Sequence, residues 1–278
     1  MINNSELIME TSFNNILLAT DSQSASLDAI QRTCDLAIKF ESDITALFMA
    51  GKEEKGFEDL INYIKGYTSS KGIKLEIINK KGNLYTETIQ QLKQENFSLV
   101  VLGTNEHSVR IKWGSSEVFR VIKNSNCPVI LYCGRTEITS LKEIVLPISD
   151  GSNTRQKVPY CAELAKAFGS TVHIYGISKK DSKETQKTIG SYIRKTERYL
   201  SERGIKYSVD SKYGVKESRA IIAYSEQVRA GLVVTMTDTT DSAGIFRKSN
   251  AERLVYQSDV PIMCVHSKDT RLAGASGY

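Results

Sequence analysis

The chain has 278 residues, of which 40% are apolar and 25% charged, with a formal net charge of +5. That length suits two domains of ordinary size, each able to bury a core without disulfides or metals. Lys and Arg are interspersed with Asp and Glu, with no basic run dense enough to track phosphates, so nucleic-acid binding is not expected.

No apolar stretch approaches the eighteen or so residues that a membrane-spanning helix needs. Met1 to Ser12 is polar and mixed in charge, so no secretory signal is expected. The cysteines, Cys34, Cys127, Cys133, Cys161 and Cys264, are odd in number and unpaired in spacing. Buried thiols in a reducing compartment, the cytoplasm, fit that pattern.

In chain order, the first apolar run, Ile16–Ala19, reads as a buried strand. Leu27, Ile30, Cys34 and Ala37 then recur at helical spacing. Strand Ile44–Phe48 follows, then a helix with Phe57, Leu60, Ile61, Ile64 and Tyr67 on one face. Leu75–Ile78 is the third strand, and Leu84, Thr88, Ile89 and Leu92 mark the third helix. Strand Leu99–Leu102, a helix with Val118, Val121 and Ile122, and strand Val129–Leu131 complete the unit. Strands alternating with helices predict an α/β fold with a parallel sheet covered on both faces.

The pattern then starts again. ILLATD at Ile16 to Asp21 returns as IVLPIS at Ile144 to Ser149. CDLAIKF from Cys34 returns, one residue longer, as CAELAKAF from Cys161, and KGIK at Lys71 as RGIK at Arg203. LVVLGT from Leu99 returns as LVVTMT from Leu232, and NCPVI from Asn126 as DVPIM from Asp259. Five landmarks in one order predict two copies of one domain, at 11–135 and 140–267, with a loose tail at 268–278.

In an open parallel sheet ligands sit beyond the carboxyl ends of the strands. The turn after the first strand and the loop after the fourth are therefore the candidate mouths. Strand-Asp21, an amphipathic helix, LVVLGT with a glycine-bearing loop, Gly114-Ser115, and a Cys127-Pro128 strand resemble the universal stress protein (UspA-like) family. The resemblance covers nearly the whole chain, twice. It implies two tandem Rossmann-like domains of the adenine nucleotide alpha hydrolase type, each a five-stranded parallel sheet. It also implies pairing through the last strands and, in one subgroup, ATP binding.

Carried over residue by residue, the resemblance implies a nucleotide site at Thr20, Asp21, Gly103, Gly114, Ser115 and Ser116. Glu106 stands at the second glycine position, and the loop from Gly103 is about two residues short of the family's. In the second copy Ser149 replaces the Asp, Met236 replaces the first glycine, and Asp238 and Asp241 add negative charge. KSNAER from Lys248 resembles the family's Gly-Ser-x-Ala-Glu-Arg turn with its glycine lost. A lost glycine puts a Cβ where backbone should meet phosphate, and each carboxylate repels it. No cofactor, or ATP held weakly in the first domain, is the expectation.

Other readings of the same residues stay open. Ser115 and Ser116 are ordinary helix N-caps, and Asp21 can serve a turn with Ser22 and Ser24. His107 reads as a surface histidine, His173 and His266 as isolated polar groups at strand ends, and no metal-ligand spacing joins the three. With no nucleophile–base pair apparent and no P-loop lysine element, catalysis is not expected. Pairing of the domains within the chain, and an association of two chains, are the expected partnerships, with no membrane.

Overall fold

The computed structural model describes residues 13–21, 26–49, 54–103, 117–132, 140–237 and 249–266. Among them are ten strands and eight helices. The first half runs β1 (Asn15–Asp21), α1 (Ser26–Phe40), β2 (Asp43–Met49), α2 (Glu54–Ser69), β3 (Leu75–Lys80), α3 (Leu84–Gln94), β4 (Leu99–Gly103), α4 (Glu117–Asn124) and β5 (Val129–Tyr132). The second runs β6 (Glu143–Ile148), α5 (Val158–Phe168), β7 (Thr171–Ser178), α6 (Lys183–Ser201), β8 (Lys206–Tyr213), α7 (Glu217–Gln227), β9 (Leu232–Thr237), α8 (Asn250–Gln257) and β10 (Ile262–His266).

All ten strands form one sheet in the order β3-β2-β1-β4-β5-β10-β9-β6-β7-β8. Read from either end toward the middle, the order is the same: third, second, first, fourth, fifth. Every pairing within a half is parallel. At the centre β5 and β10 run antiparallel, with Leu131 opposite Ile262, Ile130 opposite Met263 and Val129 opposite Cys264. The expected pairing of the two last strands is thus seen directly. It leaves β3 and β8 as the outer strands of the sheet.

Small hydrogen bonds repeat between the halves as faithfully as the strands. Ser42 N–H donates to Ala37 O at 2.9 Å, as Ser170 N–H does to Ala165 O at 2.9 Å. The Ser42 hydroxyl donates to Phe13 O, as the Ser170 hydroxyl does to Leu141 O. Near the far end Ser125 Oγ donates to Cys127 O at 2.8 Å, and Ser258 Oγ to Val260 O at 2.9 Å. A left-handed residue closes the first helix of each half: Gly169 at φ 63°, but Glu41 at φ 53°. A Cβ is disfavoured there, so the second copy holds the better helix stop.

The core lies in two layers, one on each side of the sheet, and both layers cross the seam. On the α1–α5 side Phe13 packs at 6.0 Å between ring centroids from Tyr160 of the second half. On the other side Phe119 of α4 meets Tyr256 of α8 at 6.4 Å. The residues that face each other across the seam, Val129, Ile130 and Leu131 of β5 and Ile262, Met263 and Cys264 of β10, are at most 2% exposed. Aligned backbone and two shared apolar layers make the halves one folded body.

Candidate functional site

Parallel strands in each half end on the same rim of the sheet, and there the loops leave for the helices. In the first half Thr20, at the end of β1, lies in register with Gly103 at the end of β4, and Gly103 with Tyr132 of β5. The structure therefore brings Thr20, Gly103 and the backbone of Asp21 together at one mouth. Gly114, Ser115 and Ser116 lie outside the described residues, as do Glu106, His107, Asp238 and Asp241.

Gly103 is explained by packing. A Cβ built on it would come within 2.7 Å of Ala29 Cβ and 2.8 Å of Thr20 Oγ1. Helix α1 presses onto the strand tip through these contacts, and only a glycine leaves room. Thr20 itself is fully buried.

The second half rebuilds the same corner from other side chains. The matched bonds that end α1 and α5 set Ala165 against Ala37, and counting back from them places Lys157 where the first half has Ala29. The same register places Ala162, not Cys161, opposite Cys34, although both thiols are buried. Ile148 takes the place of Thr20 and Met236 that of Gly103. Lys157 is only 3% exposed. Its ammonium donates to Thr154 O at 2.5 Å and to Thr154 Oγ1 at 3.3 Å. Thr154 Oγ1 also accepts from Ser149 N–H at 3.0 Å, closing the turn after β6.

Around this corner lies a cavity of about 210 Å³. Pro147, Ser149, Asp150, Thr154 and Lys157 line one side, and Thr235, Met236, Ser249 and Asn250 the other. Lys179, Glu217 and the apolar side chains of Ile177, Ile221 and Leu254 complete the wall. Ser249 caps α8, its hydroxyl accepting from Glu252 N–H at 3.1 Å. The Glu217 carboxylate accepts from Lys179 N–H at 3.3 Å and from Asn250 Nδ2. Asn250 Oδ1 is buried without a hydrogen-bond partner. The first half makes an Asn–Glu tie at the matching helix ends with the roles exchanged: Asn83 Nδ2 donates to Glu117 Oε1 at 3.2 Å.

Sequence reasoning missed Lys157, because a lysine three residues from a threonine reads as a solvated turn residue. Its burial, at 3% exposed, is a property of the folded corner that its neighbours in the chain do not signal. Reading His173 as an isolated polar group is corrected by the structure. His173 on β7 contacts Glu143 Oε2 of β6 through Nε2 at 2.7 Å and Ser208 Oγ of β8 through Nδ1 at 2.9 Å. Strand register causes this, setting His173 beside Val145 and Ser208. Ser208 is solvent-exposed on an outer strand, and the chain of contacts ties three strands together across their shared face. Among the described residues no group of His, Cys, Asp and Glu could hold a metal ion.

The fold and its strand-end mouths define a Rossmann-like α/β protein built from two like halves, each of the class that receives ligands at the carboxyl edge of its sheet. No family model matches the chain. A curated universal stress protein of Methanocaldococcus jannaschii is 25% identical over 142 residues, covering 44% of this chain and 83% of that protein. The solved structure of a universal stress protein from Archaeoglobus fulgidus superposes with a TM-score of 0.69 at 19% identity, over 93% of this chain and 98% of that one. A putative universal stress protein from Pseudomonas aeruginosa gives 0.68 at 14% identity, over 96% and 97%. The chain is similar to universal stress proteins, in sequence over 44% of its length and in fold over nearly all of it, as a tandem of two like halves.

Proposed function

We propose that this chain is a non-enzymatic stress-response binding and scaffold protein whose nucleotide mouths have degenerated, with its domains, 11–135 and 140–267, held together through their last strands. One observation carries the reading. At the second mouth Met236 and the buried Lys157 stand where the first half has Gly103 and Ala29. A methionine side chain takes the room that close backbone approach to a phosphate requires. Charge argues the same way. Among the described residues, Lys157 and Lys179 are balanced by Asp150 and Glu217 around the cavity, with no excess positive charge for a triphosphate.

A second reading keeps an ATP-binding switch in the first domain. It is favoured by Thr20 and Gly103, which remain side by side in register at the end of β1 and β4. Isothermal titration with ATP and Mg²⁺ separates the two. The leading reading expects no stoichiometric heat, and a clear one-to-one isotherm overturns it. Buried free thiols support a cytoplasmic setting. No described helix is long and apolar enough to cross a membrane.

A further inference from the structure

The Glu143–His173–Ser208 chain does more than tie three strands together. It sets a carboxylate, an imidazole and a hydroxyl in line at the amino ends of β6, β7 and β8, on the rim opposite the second mouth. We infer that Ser208 is an acyl-acceptor site, which takes the acyl group of a small activated thioester and holds it as an ester.

The geometry is that of a nucleophile beside an oriented base. Glu143 Oε2 lies 2.7 Å from His173 Nε2, and Ser208 Oγ lies 2.9 Å from His173 Nδ1. A carboxylate only accepts, so in the neutral ring Nε2 carries the proton and Nδ1 keeps its lone pair for the Ser208 hydroxyl. That is the arrangement by which a serine is activated for attack. The His173 side chain is 14% exposed, while Ser208 is open to solvent, so the base is shielded and the nucleophile is reachable. Tyr224 of α7 walls the site, its ring stacked on Tyr175 at 4.2 Å and edge-on to His173 at 6.0 Å. Its hydroxyl is hydrogen-bonded with Ser208 and supplies a donor for charge that develops on the acyl oxygen.

In the reaction Ser208 Oγ bonds to the acyl carbon and its proton passes to His173 Nδ1. The carbon–sulfur bond breaks, and the proton goes on to the leaving thiolate, giving O-acyl-Ser208 and a free thiol. Ser208 shares its face of β8 with Lys206 and Asp210, and Glu143 makes the balance of these neighbours negative, which disfavours a phosphoryl donor. Ser208 also stands inside a strand rather than at a strand-to-helix turn, so no helix N-terminus lends it the backbone donors of a hydrolase. The site therefore matches a donor that is already activated, and a single acylation rather than turnover.

The test is incubation of the full chain with S-phenyl thioacetate, read by intact and peptide mass spectrometry, with a fluorophosphonate as an independent reagent for activated serine. Both are expected to modify Ser208, with thiophenol release stopping at one equivalent. Ser208→Ala removes the adduct. His173→Gln is expected to slow it by at least about a hundredfold, and Glu143→Gln by about tenfold or more. Thermal melting shows which variants fold, and the adduct on the wild-type chain needs no variant. An unmodified Ser208, or labelling as fast in a folded His173→Gln or Glu143→Gln chain as in wild type, overturns the proposal and leaves the non-enzymatic reading untouched. Thiophenol release that continues past one equivalent overturns the single acylation and that reading together.

Discussion

At Gly103 a single missing methyl group sets how α1 meets the sheet. Gly103→Ala would force a Cβ to within 2.7 Å of Ala29 Cβ, and something in the helix–strand contact must shift. Overpacking of this kind costs about 1–3 kcal/mol, so the midpoint of urea unfolding should fall by the corresponding amount. An unchanged midpoint would contradict a tight contact between Gly103 and α1. The same substitution is consequently a poor reporter of ligand binding, since it perturbs the fold whether or not a nucleotide is present.

Three thiols give a prediction with a definite sign. Burial raises Cys34, Cys161 and Cys264 from an ordinary value of 9.0 to about 12, with Asp35 adding to the effect at Cys34 and Lys157 opposing it at Cys161. The folded protein holds these protons more tightly than the unfolded chain does. Their contribution to stability is therefore fully present below pH 9 and is lost as pH climbs from there toward 12. Chemical denaturation across that window should show stability declining with pH. Iodoacetamide at pH 8 should leave all three unmodified until denaturant is added. Rapid alkylation of any of them in the native protein would contradict their burial.

Among elements, β5 and β10 matter most, because they alone make two sheets into one. Each is paired on both sides, β5 with β4 and β10, so a proline in β5 removes a ladder hydrogen bond wherever its N–H points. Ile130→Pro should split the single cooperative unfolding transition into two, or lower its midpoint by an amount on the order of 1–3 kcal/mol. Unaltered, single-step unfolding would show that the seam is not what couples the halves. These strands were legible in the sequence, as short apolar runs bounded by prolines and turn residues. So were the helix faces of α1 and α2, where Ile30, Cys34, Leu60 and Ile64 are buried as their spacing predicts.

What escaped sequence reading has a common physical origin. The Glu143–His173–Ser208 contacts join residues 30 and 35 positions apart through strand register, which no local pattern encodes. Lys157 escaped for a related reason: its burial is set by the folded corner and not by its neighbours in the chain. The first mouth was half legible. Thr20 and Gly103 do meet, but the glycine is needed for α1, and this packing role is invisible in a motif.

For the whole molecule, the repeat is evident in topology, in matched hydrogen bonds and in the mirrored strand order, while the two mouths have diverged. One retains a glycine corner and the other holds a lysine and a methionine in its place. Shared architecture with unlike mouths fits a protein that binds and pairs, and it does not require the two sites to act alike. The most direct test is native mass spectrometry of gently purified protein incubated with ATP and Mg²⁺. Our account predicts a spectrum dominated by nucleotide-free chains. A species retaining one ATP per chain at the first mouth would contradict it.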